Sequence, residues 1–148
     1  MTKKVAFVLE SDDLQSAHVS MESLGVHHVP VVRDGIVVGI LSDRDVLLHG
    51  YPTKNKHMGF PSGFHVRDVM TAPVITCNVN TTIRAAANQM IESRIHCLPV
   101  TESGGKLVGI ITATDLLRLL TERNGQELDE PLPFHFTIPS PLAQMFEE

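Results

Sequence analysis

The stretch Gly39-Ile40-Leu41-Ser42-Asp43-Arg44-Asp45 decides the fold, because its pattern returns as Gly109-Ile110-Ile111-Thr112-Ala113-Thr114-Asp115. Each copy reads as the end of an apolar strand, a hydroxyl residue, two further residues, an aspartate and then a helix. Repetition at a fixed spacing indicates repeated structural units. The 148-residue chain is therefore predicted to contain two similar halves.

The similarity extends outward from this stretch in both directions. An offset of 69 residues places Met1-Thr2 on Met70-Thr71, His27 on His96, and Pro30-Val31 on Pro99-Val100. One extra residue at Gly104-Gly105 raises the offset to 70. We predict a first repeat over residues 1–50, a linker over 51–63, a second repeat over 64–123, and a tail with proline, apolar and acidic residues over 124–148.

Within each repeat the pattern predicts strand, helix, strand, strand, helix. Leu14, Ala17, Met21 and Leu24 form one apolar helix face, as do Ile83, Ala86, Met90 and Ile91. Two β-rich segments and a turn follow each of these helices. A half of about 60 residues buries too little surface to be stable alone. We therefore predict an α/β (α+β) fold of two tandem βαββα repeats, packed with pseudo-twofold symmetry and with paired clefts between them.

The charge and hydropathy of the sequence argue against two classes of function, nucleic-acid binding and membrane insertion. Residues 124–148 hold five acids and no Lys or Arg, within a formal net charge of −5, so the basic face that nucleic acid requires is not expected. No apolar run approaches the ~20 residues of a membrane helix, and residues 1–10 do not resemble a signal peptide. A cytoplasmic protein without membrane contact is the expectation.

The sequence offers no sign of catalysis or metal binding. Nucleophile elbow, Walker loop and paired-carboxylate signatures are missing, which indicates that the protein is not an enzyme. Cys77 and Cys97 have no companion at metal spacing and are expected to be small buried hydrophobes. No H-x-x-x-H pattern lies on a predicted helix, so no metal site is expected.

The repeated Ser/Thr-x-x-Asp motif has two interpretations. It resembles a capping box, with the hydroxyl at the N-cap of a helix. Its recurrence at matched positions also favours ligand binding, since a helix N-terminus attracts phosphate and an acceptor-only carboxylate suits sugar hydroxyls. Arg44 can pair with a phosphate, whereas its counterpart Thr114 cannot.

Together these residues resemble a known family, the CBS-domain pair or Bateman module, over residues 1 to about 123. The resemblance also rests on Asp68-Val69-Met70-Thr71, Pro73-Val74, His28-Val29-Pro30-Val31-Val32 and Cys97-Leu98-Pro99-Val100. It implies that adenosine groups bind between the repeats, with Asp on the ribose, Ser/Thr on phosphate, and adenine beside the first strand and the residues before the strand proline. Carried over, one site comprises Thr71, Pro73, Val74, Ile95, His96, Leu98, Thr112, Thr114 and Asp115, and the other comprises Thr2, Val5, Val26, His27, Val29, Ser42, Arg44 and Asp45.

The resemblance implies a stand-alone regulatory sensor without a catalytic cofactor. AMP is the expected ligand ahead of ADP, ATP, NAD and S-adenosylmethionine, and a separate effector protein is expected. The site containing Asp115 is expected to bind a monophosphate more tightly through Pro73, Val74, Ile95 and Leu98. The other site is expected to depend on phosphate charge through Arg44. His27 and His96 are candidates for a base or backbone contact, or for a structural role.

Association and the tail complete the predictions. A homodimer is expected through helices that carry Leu14, Met21, Leu116, Leu119 and Leu120. The alternatives are a purely structural dimerisation module with degenerate clefts and, third, a nucleic-acid-binding module. The tail has four prolines and seven large apolar residues between Pro131 and Phe146, which indicates an extended strap on its own body or on a partner subunit rather than a helix, with a disordered terminus as the alternative.

Overall fold

Helices and strands follow one another in the strand, helix, strand, strand, helix order that each repeat predicts. A computed structural model describes residues 2–3, 5–54, 58–61, 63–122 and 128–146. Residues 1–74 form β1 (Thr2–Lys3), β2 (Ala6–Leu9), α1 (Leu14–Leu24), β3 (His28–Arg33), β4 (Ile36–Ser42), α2 (Asp43–His49), β5 (Tyr51–Pro52), β6 (Met58–Gly59) and α3 (Val66–Val69). Residues 75–146 form β7 (Cys77–Asn78), α4 (Ile83–Ser93), β8 (Cys97–Glu102), β9 (Lys106–Thr112), α5 (Ala113–Glu122), β10 (His135–Phe136) and β11 (Ser140–Pro141), with 3-10 turns at Ser103–Gly105 and Leu142–Phe146.

These elements divide into two units that exchange short segments of sequence. The N-repeat unit comprises Ala6–Val74 and Pro139–Glu148, and the C-repeat unit comprises Met1–Val5 and Ile75–Ile138. The division therefore differs from the predicted boundaries at residues 50 and 64. Residues 64–74, which include α3 and are called the lead-in of the second repeat, belong with the first repeat. Val66 and Val69 pack into the core of that repeat, and the Val66 amide donates to the Asp12 carbonyl at 2.9 Å.

The N-repeat unit is a four-stranded sheet covered by helices. Strand β2 lies parallel to β3 and to β11, and β3 lies antiparallel to β4. Helix α1 begins after Asp13, whose carboxylate accepts from the Ser16 amide at 3.0 Å, and ends at Gly25 with a φ of 65°. Such a left-handed residue ends many helices and favours glycine. The core consists of Val8, Leu14, Ala17, Met21, Val29, Val31, Leu41, Val46, Phe60, Val66, Val69 and Leu142.

The C-repeat unit repeats this plan with a shorter sheet. Strand β7 lies parallel to β8, β8 lies antiparallel to β9, and β1 pairs in parallel with β10. Helix α4 begins at Thr82, whose hydroxyl accepts from the Ala85 amide at 3.1 Å. The core consists of Cys77, Ile83, Ala86, Met90, Leu98, Val100, Ile111, Leu116, Leu119 and Leu132. The predicted βαββα order and the mixed α/β class are confirmed.

Both motif strands carry a glycine where another segment lies directly on the backbone. A Cβ atom at Gly39 would lie 2.7 Å from the Met70 sulfur and 3.0 Å from the Thr71 carbonyl oxygen. At Gly109 it would overlap the ring of Phe136. Glycine is therefore required here by close approach, and two different segments, the lead-in and the tail, cover equivalent strand positions.

The tail packs on the chain itself, as one of the sequence alternatives predicts. The Glu130 and Leu128 carbonyls accept from the first amides of α4, those of Ile83 and Arg84, at 3.0 and 2.8 Å. Leu142 is 1% exposed in the N-repeat core. The predictions for residues 123–127 and 147–148, and for the side chains of Met145 and Phe146, lie outside the described residues.

The burial of individual residues corrects one sequence prediction and adds detail to another. Leu14, Met21, Leu116 and Leu119, proposed as an association surface, are buried inside their own units, and only Leu120 of that set is exposed. The linker over 51–63 contains the antiparallel β5–β6 pair and the buried Phe60. Among the described helices, none has the length and apolar character needed to span a membrane.

Candidate functional site

The first copy of the motif forms a closed set of hydrogen bonds where β4 meets α2. The Ser42 amide and hydroxyl both donate to Asp45 Oδ2 at 3.0 Å, and the Asp45 amide donates back to the Ser42 hydroxyl at 3.3 Å. Both side chains are half-buried. This is the reciprocal capping box that the sequence predicted, and it fixes the aspartate in one orientation.

The second copy has the same geometry at the start of α5. The Thr112 amide donates to Asp115 Oδ2 at 2.8 Å, its hydroxyl donates to the same oxygen at 2.9 Å, and the Asp115 amide returns a bond of 3.2 Å. The capping interpretation is therefore confirmed in both repeats. In the first motif capping occupies Asp45 Oδ2, so Oδ1 of that carboxylate serves a further contact.

In the N-repeat unit that further contact is visible. The Thr71 hydroxyl donates to Asp45 Oδ1 at 2.9 Å. Thr71 also pairs with Ile40 of β4 through two backbone bonds of 2.8 and 3.0 Å. Asp45 thus already accepts from a hydroxyl donor, which is the type of group that a sugar presents.

In each repeat, a backbone hydrogen bond joins the residue before the β-hairpin to the first residue of the helix that follows the hairpin. The Asp43 amide donates to the His27 carbonyl at 3.1 Å, and the Ala113 amide donates to the His96 carbonyl at 2.8 Å. The antiparallel register supports this, since His28 faces Ser42 and Cys97 faces Thr112. His27 also places Nδ1 2.5 Å from Asp43 Oδ2. Each motif therefore gathers an aspartate, a hydroxyl, a helix N-terminus and an exposed histidine.

The structure regroups the predicted site residues. Thr71 was placed with Asp115, but its side chain bonds to Asp45, and Pro73 and Val74 lie in the same unit. The reason is the exchange of lead-in segments, which a repeat alignment alone does not reveal. The N-repeat set is Val26, His27, Ser42, Arg44, Asp45, Thr71, Pro73 and Val74, and the C-repeat set is Thr2, Val5, Ile95, His96, Thr112, Thr114 and Asp115.

Three of the predicted site residues are buried. Val29 and Leu98 are 1% and 0% exposed within the two cores, and Val5 is 2% exposed. Pro73, Arg44, His96 and Thr114 are exposed, whereas Val26, Val74 and Ile95 are half-buried. The side chain of Thr2 lies outside what the structure describes. Sequence reasoning missed Ile40 and Met70, which hold Thr71 in place through the backbone pair and the contact with Gly39.

The electrostatics of the two sets differ. Arg44 stands two residues beyond Ser42, while Thr114 stands at the matched position beyond Thr112. In the N-repeat set an exposed guanidinium therefore accompanies the helix N-terminus. Among the described residues, no group of three or more His, Cys, Asp or Glu side chains is arranged to hold a metal ion. The arrangement favours a ligand with sugar hydroxyls and a phosphate.

Comparison with known proteins agrees with this geometry. Residues 1–50 and 66–122 both match the CBS domain family, so the chain belongs to that family, as a tandem pair of its repeats. The CBS domain-containing protein YhcV of Bacillus subtilis is 31% identical over 116 residues, which span 78% of this chain and 79% of YhcV.

Two similar solved structures contain adenosine compounds. CBSX2 in complex with AMP has a TM-score of 0.69 at 25% identity, over 82% of this chain and 91% of that one. The CBS domain pair of MJ0100, in complex with 5-methylthioadenosine and S-adenosyl-L-methionine, has a TM-score of 0.64 at 25% identity, over 80% of this chain and 93% of that one.

Proposed function

We propose that this protein is a regulatory module that binds an adenine nucleotide and catalyses no reaction itself. The observation that carries the proposal is the cluster of Ser42, Asp45 and Thr71 at the N-terminus of α2. Two related CBS structures contain AMP or S-adenosyl-L-methionine, which supports an adenosyl ligand for this chain. AMP is the proposed ligand, with ADP, ATP, NAD and S-adenosylmethionine as competitors.

Each residue of the N-repeat set has a proposed role. Asp45 Oδ1 accepts from the ribose hydroxyls, sharing or replacing the bond from Thr71, since each carboxylate oxygen accepts two donors. Ser42 and the α2 N-terminus stabilise the phosphate, and the Arg44 guanidinium pairs with it. Val26, Pro73 and Val74 provide the apolar surface for the base. Thr112 and Asp115 have the corresponding roles in the C-repeat set, without the cation.

The exchange of lead-in segments changes the expected ranking of the sites. From the sequence alone, the apolar residues expected to contact the base, Pro73 and Val74 among them, were assigned to the site containing Asp115. Arg44 was assigned to the site containing Asp45. In the structure Pro73, Val74 and Arg44 belong to the same unit as Asp45. We therefore propose the Asp45 site as the tighter one for AMP and ATP alike, with the Asp115 site weaker and less dependent on salt.

Isothermal titration with AMP tests this proposal. Asp45→Ala is expected to weaken AMP binding by about 1.5–3 kcal/mol, the range for a hydrogen bond to a charged group. Asp68→Ala is the matched control, because Asp68 accepts from the His65 amide at 2.8 Å at the start of α3 and lacks a hydroxyl partner in this role. The control is expected to lower the melting temperature without changing AMP affinity.

The outcomes separate the candidate functions. Loss of AMP binding in Asp45→Ala, with a smaller change in Asp115→Ala, supports the ranking. The reverse pattern would reassign the tighter site to the C-repeat unit. If the unmodified protein shows no heat and no thermal shift with any of the five adenosyl compounds, the regulatory function is wrong and a structural dimerisation module remains.

Regulation further requires a response beyond the site. We propose that nucleotide binding shifts the population of two conformations, one of which a separate effector protein recognises. Exposed leucines on α2 and α5, namely Leu47, Leu48, Leu117 and Leu120, are the proposed surface of a homodimer. They replace the buried residues that sequence analysis selected.

A further inference from the structure

The tail contacts the start of α4 through the same backbone bonds that the lead-in makes to the start of α1. The first amide of α1, that of Leu14, donates to the Phe64 carbonyl at 3.1 Å. The first amide of α4, that of Ile83, donates to the Glu130 carbonyl at 3.0 Å. Because Leu14 and Ile83 are matched residues of the two repeats, Phe64 and Glu130 occupy equivalent places, 66 residues apart in the sequence.

The same offset of 66 residues continues along both segments. Val66 is 0% exposed in the N-repeat core, and Leu132 is 8% exposed in the C-repeat core. The Val66 amide donates to the Asp12 carbonyl at 2.9 Å, and the Leu132 amide donates to the Thr81 carbonyl at 3.2 Å. Each segment therefore enters the core of its own unit at the equivalent residue.

The offset also relates the two side chains that lie against the motif glycines. A Cβ atom at Gly39 would lie 2.7 Å from the Met70 sulfur, and a Cβ atom at Gly109 would overlap the Phe136 ring. Met70 and Phe136 are again 66 residues apart. Backbone bonds, core residues and glycine contacts thus agree, and the tail gives the C-repeat unit what the lead-in gives the N-repeat unit.

The sequences of the two segments show little of this equivalence. Between residues 64 and 74 the lead-in shares with the tail just one threonine and one proline, in Met70-Thr71-Ala72-Pro73 and Phe136-Thr137-Ile138-Pro139. Two identities are too few for a repeat to be recognised. The shared threonine is nevertheless the residue whose hydroxyl reaches the motif aspartate in the N-repeat unit.

This threonine connects the tail with a binding site. The Thr71 hydroxyl donates to Asp45 Oδ1 at 2.9 Å, and Asp115 is the repeat counterpart of Asp45. Thr137 is exposed and belongs to the same unit as Asp115. We propose that the tail completes the Asp115 site, where the Thr137 hydroxyl binds the sugar of a nucleotide that Asp115 also holds. This inference rests on the proposed function and assigns a further ligand-binding residue to it.

Repeat alignment gave the place of Thr71 to a different residue, Thr2. Strand β1 lies beside β10, with Thr2 opposite His135. The side chain that lies against the motif glycine comes from β10, since it is Phe136. Because threonine follows this residue in the tail as it follows Met70 in the lead-in, Thr137 takes the position equivalent to Thr71.

AMP titration of the full chain carrying Asp45→Ala tests the inference, because the Asp115 site alone then reports. Thr137→Val removes the hydroxyl and keeps the shape of the side chain. It is expected to weaken AMP binding about three- to tenfold, which is the effect of one lost hydrogen bond. Thr121→Val makes the same change on the exposed end of α5 and is the matched control, whereas Thr2→Val tests the assignment made by repeat alignment. Both are expected to leave AMP affinity unchanged.

Hydrogen exchange of the same Asp45→Ala protein supplies a second measurement. A ligand held by the tail also holds the tail in place, since coupling between two binding events is reciprocal. AMP is therefore expected to slow amide exchange in residues 128–138 and to leave exchange in residues 64–71 unchanged.

The outcomes distinguish this inference from the proposed function. The inference is overturned if Thr137→Val keeps full AMP affinity, or if AMP leaves exchange in the tail unchanged. It is also overturned if the unmodified protein binds AMP and the Asp45→Ala protein does not, a result that leaves the proposed function intact at the Asp45 site. An unmodified protein that binds no AMP contradicts the proposed function, and the inference fails with it.

Discussion

At the residue scale, the two cysteines show how burial controls chemistry. Cys77 and Cys97 are buried free thiols, as their spacing predicted. Burial raises the pKa of the Cys97 thiol to about 11 from an ordinary value of 9.0, and it also raises the pKa of Cys77, partly offset by a hydrogen bond with Thr81. Thiolate is the reactive form, so neither residue is expected to react with thiol reagents in the folded protein.

The raised pKa of Cys97 gives the stability a specific dependence on pH. Below pH 9 the thiol is protonated in both states and its contribution is constant. As the pH rises from 9.0 towards 11, the Cys97 thiol ionises mainly in the unfolded state. This ionisation stabilises the unfolded state, so the free energy of unfolding falls by up to about 2–3 kcal/mol.

Urea unfolding at pH 8 and pH 10.5 measures this effect. Lysines and Tyr51 also titrate at high pH, so the informative quantity is the difference between the unmodified protein and Cys97→Ala. The unmodified protein is expected to lose more stability between the two pH values than the variant does. Equal losses in both proteins would show that the Cys97 thiol ionises equally well in the folded state.

Sequence reasoning at this scale succeeded where the signal was local. Ser42 with Asp45 and Thr112 with Asp115 are three residues apart, so their capping geometry follows from helix chemistry alone. Thr71 bonds to Asp45 across 26 residues, whereas repeat alignment grouped it with Asp115. The lead-in belongs with the first repeat because of the tertiary packing of Val66 and Val69. A periodic pattern marks such residues as buried without naming their neighbours.

At the element scale, the tail is the least predictable part of the chain. Strands β10 and β11 have two residues each, which is too short for an alternating pattern. They exist because β1 and β2 offer unpaired strand edges and because Leu132 and Leu142 enter the two cores. The β5–β6 pair was missed for the same reason. Longer elements such as α1, α4 and the two hairpins were predicted correctly, since each carries enough residues to show its period.

Leu142 and Ile138 provide a matched test of the tail. Leu142 is 1% exposed and Ile138 is 89% exposed, only four residues apart. Leu142→Ala is expected to destabilise the protein by about 2–5 kcal/mol, the range for a buried leucine, whereas Ile138→Ala is expected to change stability by less than about 0.5 kcal/mol.

Denaturant unfolding of both variants measures the contribution of the tail. If Leu142→Ala were as stable as Ile138→Ala, the segment after Pro139 would not be held on the N-repeat unit in solution. A loss in Leu142→Ala alone would establish the tail as part of that core.

At the scale of the whole molecule, the exposed leucines are the proposed association surface. Leu48 is 71% exposed on α2 and Leu120 is 60% exposed on α5, in helices whose opposite faces are already buried. Apolar surface of this kind indicates a contact with another copy or partner. We expect a homodimer that forms through these helices.

Light scattering of Leu48→Glu and Leu120→Glu tests this expectation. Each substitution places a charge in the proposed contact, so each is expected to shift the particle from twice the mass of the chain towards a single chain. Ile138→Glu changes an even more exposed residue outside the helices and is expected to leave the dimer intact. A single-chain mass for the unmodified protein at micromolar concentration, with and without AMP, would contradict the expectation.

The parallel pairing of β1 with β10 and of β2 with β11 has a consequence for synthesis on the ribosome. Thr2 pairs with His135 and Ala6 pairs with Ser140, so both pairs form only after almost the whole described chain has emerged. Until then the β2 edge of the N-repeat sheet stays unpaired. Contacts this distant in sequence form late and slow folding. An unpaired strand edge is also a template for aggregation. Nascent chains that stall after α5 would therefore expose the unpaired, aggregation-prone edge of β2. They would depend on chaperones until translation resumes.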